Sequence, residues 1–273
     1  MKDKISLAGD LGSGKSTVSA ILIDALGAEY YSTGSIVRSV AERMGMTVVE
    51  LNKYMETHPE IDNEIDDGLV RLGEDDRLLV IDSRMAWHFT PGTFKIYLST
   101  DIETSAIRIM NANRKGEHAG TLEETIADTR ARRQSEQKRY MDQYGVDIKD
   151  LSNYSLVVDT TYATPDEIAS VIISSFEAWK SRRDMRLCLL SPERLNYSED
   201  GFDTELMQTL STRLECGEEL PEITVFEEDG EFYVEGGLES AMAYAFNMRT
   251  FIPATLIKGR AGDRKYVKMT NSI

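Results

Sequence analysis

Apolar positions along the chain gather in short runs, separated by longer stretches in which they recur every three or four residues. The runs at 5–8, 78–81, 94–98 and 156–158 read as continuous rather than alternating. A strand with one wet face alternates and a strand covered on both faces does not, so these four predict a buried parallel sheet. Helical periodicity at 16–26, 36–44, 102–113, 122–144 and 166–180 supplies the crossovers that parallel strands need. The pattern predicts an α/β fold of three layers.

The pattern changes after the stretch Ser181-Arg182-Arg183-Asp184. Shorter strand candidates follow at 186–190, 223–227, 231–235 and 254–257, with the turn Glu228-Asp229-Gly230 joining the middle pair. Helical periods lie at 204–214 and 238–246. Two domains are therefore expected, an α/β core over 1–182 and a smaller α+β C-terminal domain over 186–273.

Length alone, at 273 residues, leaves one large or two small domains open. Charge changes the picture more. The chain carries 31 basic and 47 acidic residues, a net −16. Nucleic-acid affinity rests on basic contacts to phosphate, so a general polyanion binder is not expected. A small phosphorylated ligand in a local basic pocket remains compatible. No apolar stretch is long enough for a membrane span, and no signal-like apolar segment follows Met1. Two cysteines, Cys188 and Cys216, are too few for a disulfide framework or a structural zinc site. A reducing cytoplasm suits all three observations.

The strongest chemical signal is Gly9-Asp10-Leu11-Gly12-Ser13-Gly14-Lys15-Ser16-Thr17, between the first strand and the first helix. This is the phosphate-loop (P-loop) pattern of a nucleoside triphosphate site. The glycines (Gly9, Gly12, Gly14) are expected to let backbone N–H groups close on phosphate where a Cβ would block them. Lys15 supplies a mobile positive charge, Ser16 is placed to ligate Mg²⁺, and the helix that begins there turns its positive end to the anion. A second small-residue turn, Ser32-Thr33-Gly34, precedes a helix bearing Arg38 one turn in. Hydroxyls, N–H groups and a guanidinium in that arrangement suit a monophosphate.

Four blocks together resemble the nucleoside monophosphate kinases, and the short archaeal-type cytidylate kinases in particular. They are the phosphate loop, the stretch from Tyr30 to Arg38, Met55-Glu56-Thr57-His58-Pro59-Glu60-Ile61-Asp62, and RRQSEQKRYMDQYGVDIKDLSNYSLVVDT at 132–160. The resemblance covers residues 1 to about 180. It implies a P-loop core, a monophosphate-binding insertion, a mobile lid, ATP–Mg²⁺ as donor and a nucleoside monophosphate as acceptor. Arg38 and Arg84 correspond to the arginines that hold the acceptor phosphate. Asp82, at the end of the strand before Arg84, suits a Mg²⁺-bound water. Arg132 and Arg114, ahead of Arg108 and Arg139, are the lid-side candidates that neutralise the transferring group. Two positions depart from the family: Ser83 stands where it carries glycine, and Arg133 where it carries an acid. These put the acceptor in question, so a non-nucleotide acceptor and a catalytically impaired nucleotide-binding regulator stand as alternatives.

The second segment, through Pro192-Glu193-Arg194-Leu195, Leu220-Pro221-Glu222 and Gly236-Gly237-Leu238-Glu239, weakly resembles the ParB/sulfiredoxin-like domains. Leu238 and Glu239 stand where that family binds phosphate with histidine and arginine. An acid there would repel the ligand, so a packing, specificity or homodimerisation role is expected instead. His58, His88, Tyr30, Tyr31 and Tyr54 each fit either an acceptor contact or ordinary packing.

Overall fold

The computed structural model describes residues 3–112 and 120–271. The first part of the chain forms β1 (Ile5–Gly9), α1 (Lys15–Leu26), β2 (Glu29–Ser32), α2 (Thr33–Met44), α3 (Val48–Met55), α4 (Glu60–Gly73), β3 (Leu79–Asp82), a short α5 (Ala86–Phe89), β4 (Phe94–Ser99), α6 (Ile102–Asn111), α7 (Leu122–Tyr144), β5 (Leu156–Asp159) and α8 (Pro165–Ser181). The remainder adds β6 (Leu187–Leu190), β7 (Leu195–Ser198), α9 (Thr204–Glu215), β8 (Ile223–Glu228), β9 (Glu231–Gly236), α10 (Leu238–Phe246), β10 (Ile252–Leu256) and β11 (Tyr266–Lys268).

All eleven strands form one sheet, in the order β11-β7-β9-β8-β10-β6-β5-β4-β1-β3-β2. From β2 to β6 every neighbouring pair is parallel. The four strands expected from the apolar runs are the middle of this parallel stretch, and each is buried along its length apart from Lys95. Helices α1 and α8 cover one face, where Val18, Leu22, Ile168, Ile172 and Phe176 pack on Leu7, Ile96 and Val158. The expected α/β fold with a largely parallel sheet is therefore present, with an additional C-terminal region.

That region does not stand apart. The turn after α8 leads at once into β6, which pairs with β5 in the register Val157↔Cys188. An open parallel sheet ends in a row of unpaired N–H and C=O groups, and β6 satisfies them. One apolar cluster then runs through both parts, from Ala8, Tyr97 and Val157 to Leu190, Val225, Phe232 and Ile252. The composition shift near residue 182 marks a tight turn, with Met185 N bonded to Arg182 O at 3.0 Å, rather than a linker. A strand's partner on the sheet edge cannot be read from its own periodicity. Cys188 is buried, Cys216 is exposed and both are free. Among the described residues no helix is long and apolar enough to cross a membrane.

Two further elements shape the cleft. Helices α2, α3 and α4 lie between β2 and β3 and share a small core of Ala41, Val48, Leu51 and Met55. Helix α7 starts on a capping box between Thr121 and Glu124 and stops at Gly145, whose φ of 65° a side chain would strain. Its residues 132, 136 and 139 fall on one face by helical spacing.

Because the apolar cluster is shared, Leu190→Ala should destabilise the whole chain by about 3 kcal/mol. Denaturant unfolding should show a single transition shifted to lower concentration. Two transitions, of which only one moves, would show that the two parts fold independently.

Candidate active site

The phosphate loop links β1 to α1. Asp10 N donates to Leu98 O at 2.9 Å, which keeps the start of the loop on β4. Gly9 and Gly12 owe their identity to backbone approach rather than to a ligand. A Cβ on Gly9 would meet the main chain of Leu98, and one on Gly12 would come within 2.5 Å of Ser105 O. Only Gly14 has open space at its Cβ position; it caps α1 with a φ of 82°. Blocked phosphate approach was the expected reason for these glycines. For Gly9 and Gly12 the obstacle is the protein's own backbone.

Ser13 is buried and its Oγ donates to Asp10 O at 2.8 Å. Lys15 Nζ curls over the loop and donates to Gly9 O (3.0 Å), Asp10 O (2.8 Å) and Ser13 Oγ (3.4 Å). Burial, and then the nearby Arg84 charge, lower the Lys15 pKa to about 8, despite Asp82, Asp10 and Glu136. Ser16 and Thr17 are exposed at the first turn of α1.

Asp82 ends β3 beside this turn. Its carboxylate accepts from Tyr30 OH at 2.9 Å, and the same hydroxyl meets Ser16. Thr33 Oγ1 donates to Asp82 O at 3.4 Å, and Ser32 Oγ caps α2 by accepting from Ser35 N. Gly34 and Arg38 follow on that helix, and among the described residues Arg38 has no ion-pair partner. The turn Ser32–Gly34 and Asp82 are therefore adjacent, as a phosphate acceptor opposite a P-loop requires. Ser83 is buried and fits without strain, its N–H donating to Leu7 O at 3.2 Å.

The arginines divide. Arg84, just after β3, and Arg132, on α7, both pair with the buried carboxylate of Glu136, the latter at 3.0 Å. Burial raises the Glu136 pKa, but the guanidiniums of Arg84, Arg132 and Arg139 outweigh it and hold the group ionised. Arg133 turns instead to Asp10, with Nη2 3.6 Å from its carboxylate. Asp10 also pairs with Lys149 and accepts from Tyr97 OH at 2.9 Å and Thr100 N at 3.1 Å. Burial raises the Asp10 pKa, yet Lys149 and Arg133 bring it far below the ordinary carboxylate range. Asp10, Arg84, Tyr97, Arg133, Glu136 and Lys149 line one cleft with Gly9, Leu11, Ile148 and Tyr154.

Arg139, one of the lid-side candidates, is paired within the three-helix insertion. Its guanidinium bonds Asp62 at 2.7 Å and Asn52 O at 3.2 Å, tying α7 to α3 and α4. Arg108 reaches the loop after β5, donating to Thr160 O at 2.7 Å, and lies 3.5 Å from Gly12 O. Arg114 lies outside the described residues. In the sequence Glu136 stands out only as part of the motif at 132–160, and Asp10, Tyr97 and Lys149 carry no signal of a role. Glu136 could have been found from its i,i+4 spacing to Arg132; nothing local signals Lys149.

In the second part of the chain, Gly237 caps the start of α10 with a φ of 78°. Glu239 there accepts from Asp203 N at 3.2 Å, ahead of α9, and so serves packing between helices.

A magnesium ion bound with a nucleotide draws much of its coordination from phosphate and water, so one carboxylate and one hydroxyl suffice from the protein. Asp82 and Ser16, bridged by Tyr30, meet that requirement. Among the described residues there is no richer cluster of His, Cys, Asp and Glu that could hold a metal.

Glu136→Gln should cost about 3 kcal/mol, because two guanidiniums then share a buried site without a counter-charge. Denaturant titration measures it. A loss below about 1 kcal/mol would show that solvent, not Glu136, compensates Arg84 and Arg132.

A sequence profile of the cytidylate kinase-like family matches residues 4–162. The cytidylate kinase of Thermoplasma volcanium is 36% identical over 182 residues, which are 64% of this chain and 91% of that enzyme. That of Haloarcula marismortui is also 36% identical over 182 residues, 66% of this chain and 92% of its own length. A different relative is the S-adenosylmethionine-dependent nucleotide dehydratase of Lacinutrix mariniflava, 37% identical over 181 residues. Those residues are 65% of this chain but only 36% of that protein. With the profile spanning more than half of the sequence, the chain belongs to the cytidylate kinase-like family.

Proposed function

We propose that the protein is an ATP-dependent kinase that moves the γ-phosphoryl group of ATP–Mg²⁺ to a nucleoside monophosphate, with cytidylate as the preferred acceptor. The observation that carries this reading is the common cleft: the P-loop strand end at Gly9–Leu11 faces Arg84 and Glu136 across it. Donor and acceptor phosphates would thus meet between Lys15 on one side and the Arg84–Glu136–Arg132 cluster on the other. Membership of a family whose full-length relatives are cytidylate kinases supports the choice of acceptor.

Phosphoryl transfer needs little covalent help from a protein; positioning and charge supply most of the rate. Lys15 would leave its three intra-loop partners for phosphate oxygens, where its charge is worth most in a water-poor site. Arg84 and Arg132 are pre-oriented by Glu136 and present their remaining N–H groups to the acceptor phosphate. Ser32, Thr33 and Arg38 would hold the acceptor from the opposite wall. Mg²⁺, held through Ser16 and Asp82, would supply charge neutralisation between donor phosphates.

Arg133 and Lys149 share the one carboxylate of Asp10, so this trio leaves one net positive charge at the cleft, which suits a phosphorylated ligand.

Turnover against a panel of monophosphates tests the acceptor: CMP and dCMP should be preferred, and absent or equal activity on CMP would overturn cytidylate specificity. Lys15→Ala should lower transfer by about a hundredfold or more. Wild type and variant equally inert with every acceptor would remove the kinase reading. Lys15 is charged below its pKa of about 8 and neutral above it. Phosphate binds the charged form, so ATP affinity should be level below pH 8 and fall as pH rises through it, by up to about tenfold per unit. Calorimetric titration across that range checks the sign, and a flat profile would contradict it.

A further inference from the structure

Arg194 sits in the short turn between β6 and β7 and is entirely buried, the bulkiest such side chain among the described residues. A buried guanidinium is costly unless its surroundings are arranged for it. Here Nη2 donates to Gly230 O at 2.6 Å in the β8–β9 turn, and Nη1 donates to Thr161 Oγ1 at 3.3 Å. Asp101, the N-cap of α6, lies 3.9 Å away, and the ring of Phe232 lies 5.6 Å from the guanidinium carbon. The residue therefore joins the C-terminal region to the loop that follows β5.

That loop is itself wired to the phosphate loop. Thr161 Oγ1 donates to Asp159 at 2.7 Å and accepts from Asp101 N at 3.2 Å. The carbonyls of Thr160 and Thr161 accept from Arg108 at 2.7 and 3.2 Å, and Arg108 reaches towards Gly12 O. On the same side, α6 presses its Ser105 backbone against Gly12, and Ser105 Oγ donates to Leu11 O. Asp101 and Ser105 belong to the start of α6, so Arg194 acts on both supports of the phosphate loop.

We propose that Arg194 is a positioning residue for the donor triphosphate. Through Thr161 and Asp101 it fixes the loop after β5 and the start of α6, and these in turn set the P-loop conformation. The C-terminal region is then a part of the donor site rather than an appendage. This inference rests on the kinase reading above. It assigns Arg194 no contact with substrate; the acceptor wall, built from α2, β3 and α7, shares none of these bonds.

Calorimetric binding, without turnover, separates the two sides. ATP–Mg²⁺ and CMP would each be titrated into wild type, Arg194→Met, Arg194→Lys and Thr161→Val. Arg194→Met should weaken ATP by about tenfold while CMP stays within about twofold. Arg194→Lys should restore part of the loss, and Thr161→Val should reproduce it in smaller measure. Unchanged ATP affinity in a folded Arg194→Met would overturn the proposal, and so would a parallel loss of both ligands. Should Arg194→Met fail to fold, Arg194→Lys and Thr161→Val decide by the same donor-selective criterion. Wild-type protein that binds no ATP would overturn the kinase reading and this inference with it. Normal wild-type binding with unaltered variants overturns this inference alone.

Discussion

Glu136 is the carboxylate on which the cleft depends. A site for two phosphate groups must gather cations, and gathered cations repel one another most strongly where water is scarce. Arg84 comes from the end of a strand and Arg132 from a helix distant in sequence, yet both settle on one buried carboxylate. A second carboxylate, Asp10, does the same for Lys149 and Arg133. Cation and anion thus alternate across the cleft. The net −16 of the chain is a long-range quantity, screened within about 10 Å at ordinary salt, and does not oppose this local order.

What the sequence reveals of the fold is what local chemistry determines. The four apolar runs become the central strands because burial on both faces forbids alternation, and the phosphate loop is recognisable because its glycines, lysine and hydroxyl lie within nine positions. Helices α3 and α4 show in the sequence only through the block at 55–62, since their small core is shared among three short helices. The junction between the two parts was the least legible feature. A change in composition was visible at residue 182, but the pairing of β6 with β5 depends on which sheet edge lies open.

The arginines of α7 show the same limit inside the site. Arg132 and Arg139 lie on one face of the helix, two turns apart, with nothing local to tell them apart. Arg132 meets Glu136 beside the cleft, whereas Arg139 meets Asp62 and Asn52 in the three-helix insertion. Burial raises Asp62 to about 6 even beside Arg139, which indicates how far that contact is removed from water. The carboxylate of Arg132 lies four residues on in the same helix, whereas that of Arg139 arrives from α4, and spacing within α7 carries no record of the second.

Asp10 makes the consequence concrete. It occupies a variable position of the phosphate-loop pattern, where sequence assigns no role. In the structure it receives Tyr97 from β4, Thr100 from the strand's end, Lys149 from beyond α7 and Arg133 from α7 itself. Three separate segments therefore hold the second residue of the loop, while Gly9 and Gly12 rest against backbone on either side. A loop held this way needs little rearrangement when an anion arrives, and a preorganised site keeps binding energy for the reacting groups. Arg133, the most conspicuous departure from the family, then belongs to the loop's own support. It is an arginine whose counter-charge was in view all along, nine residues into the chain from Met1.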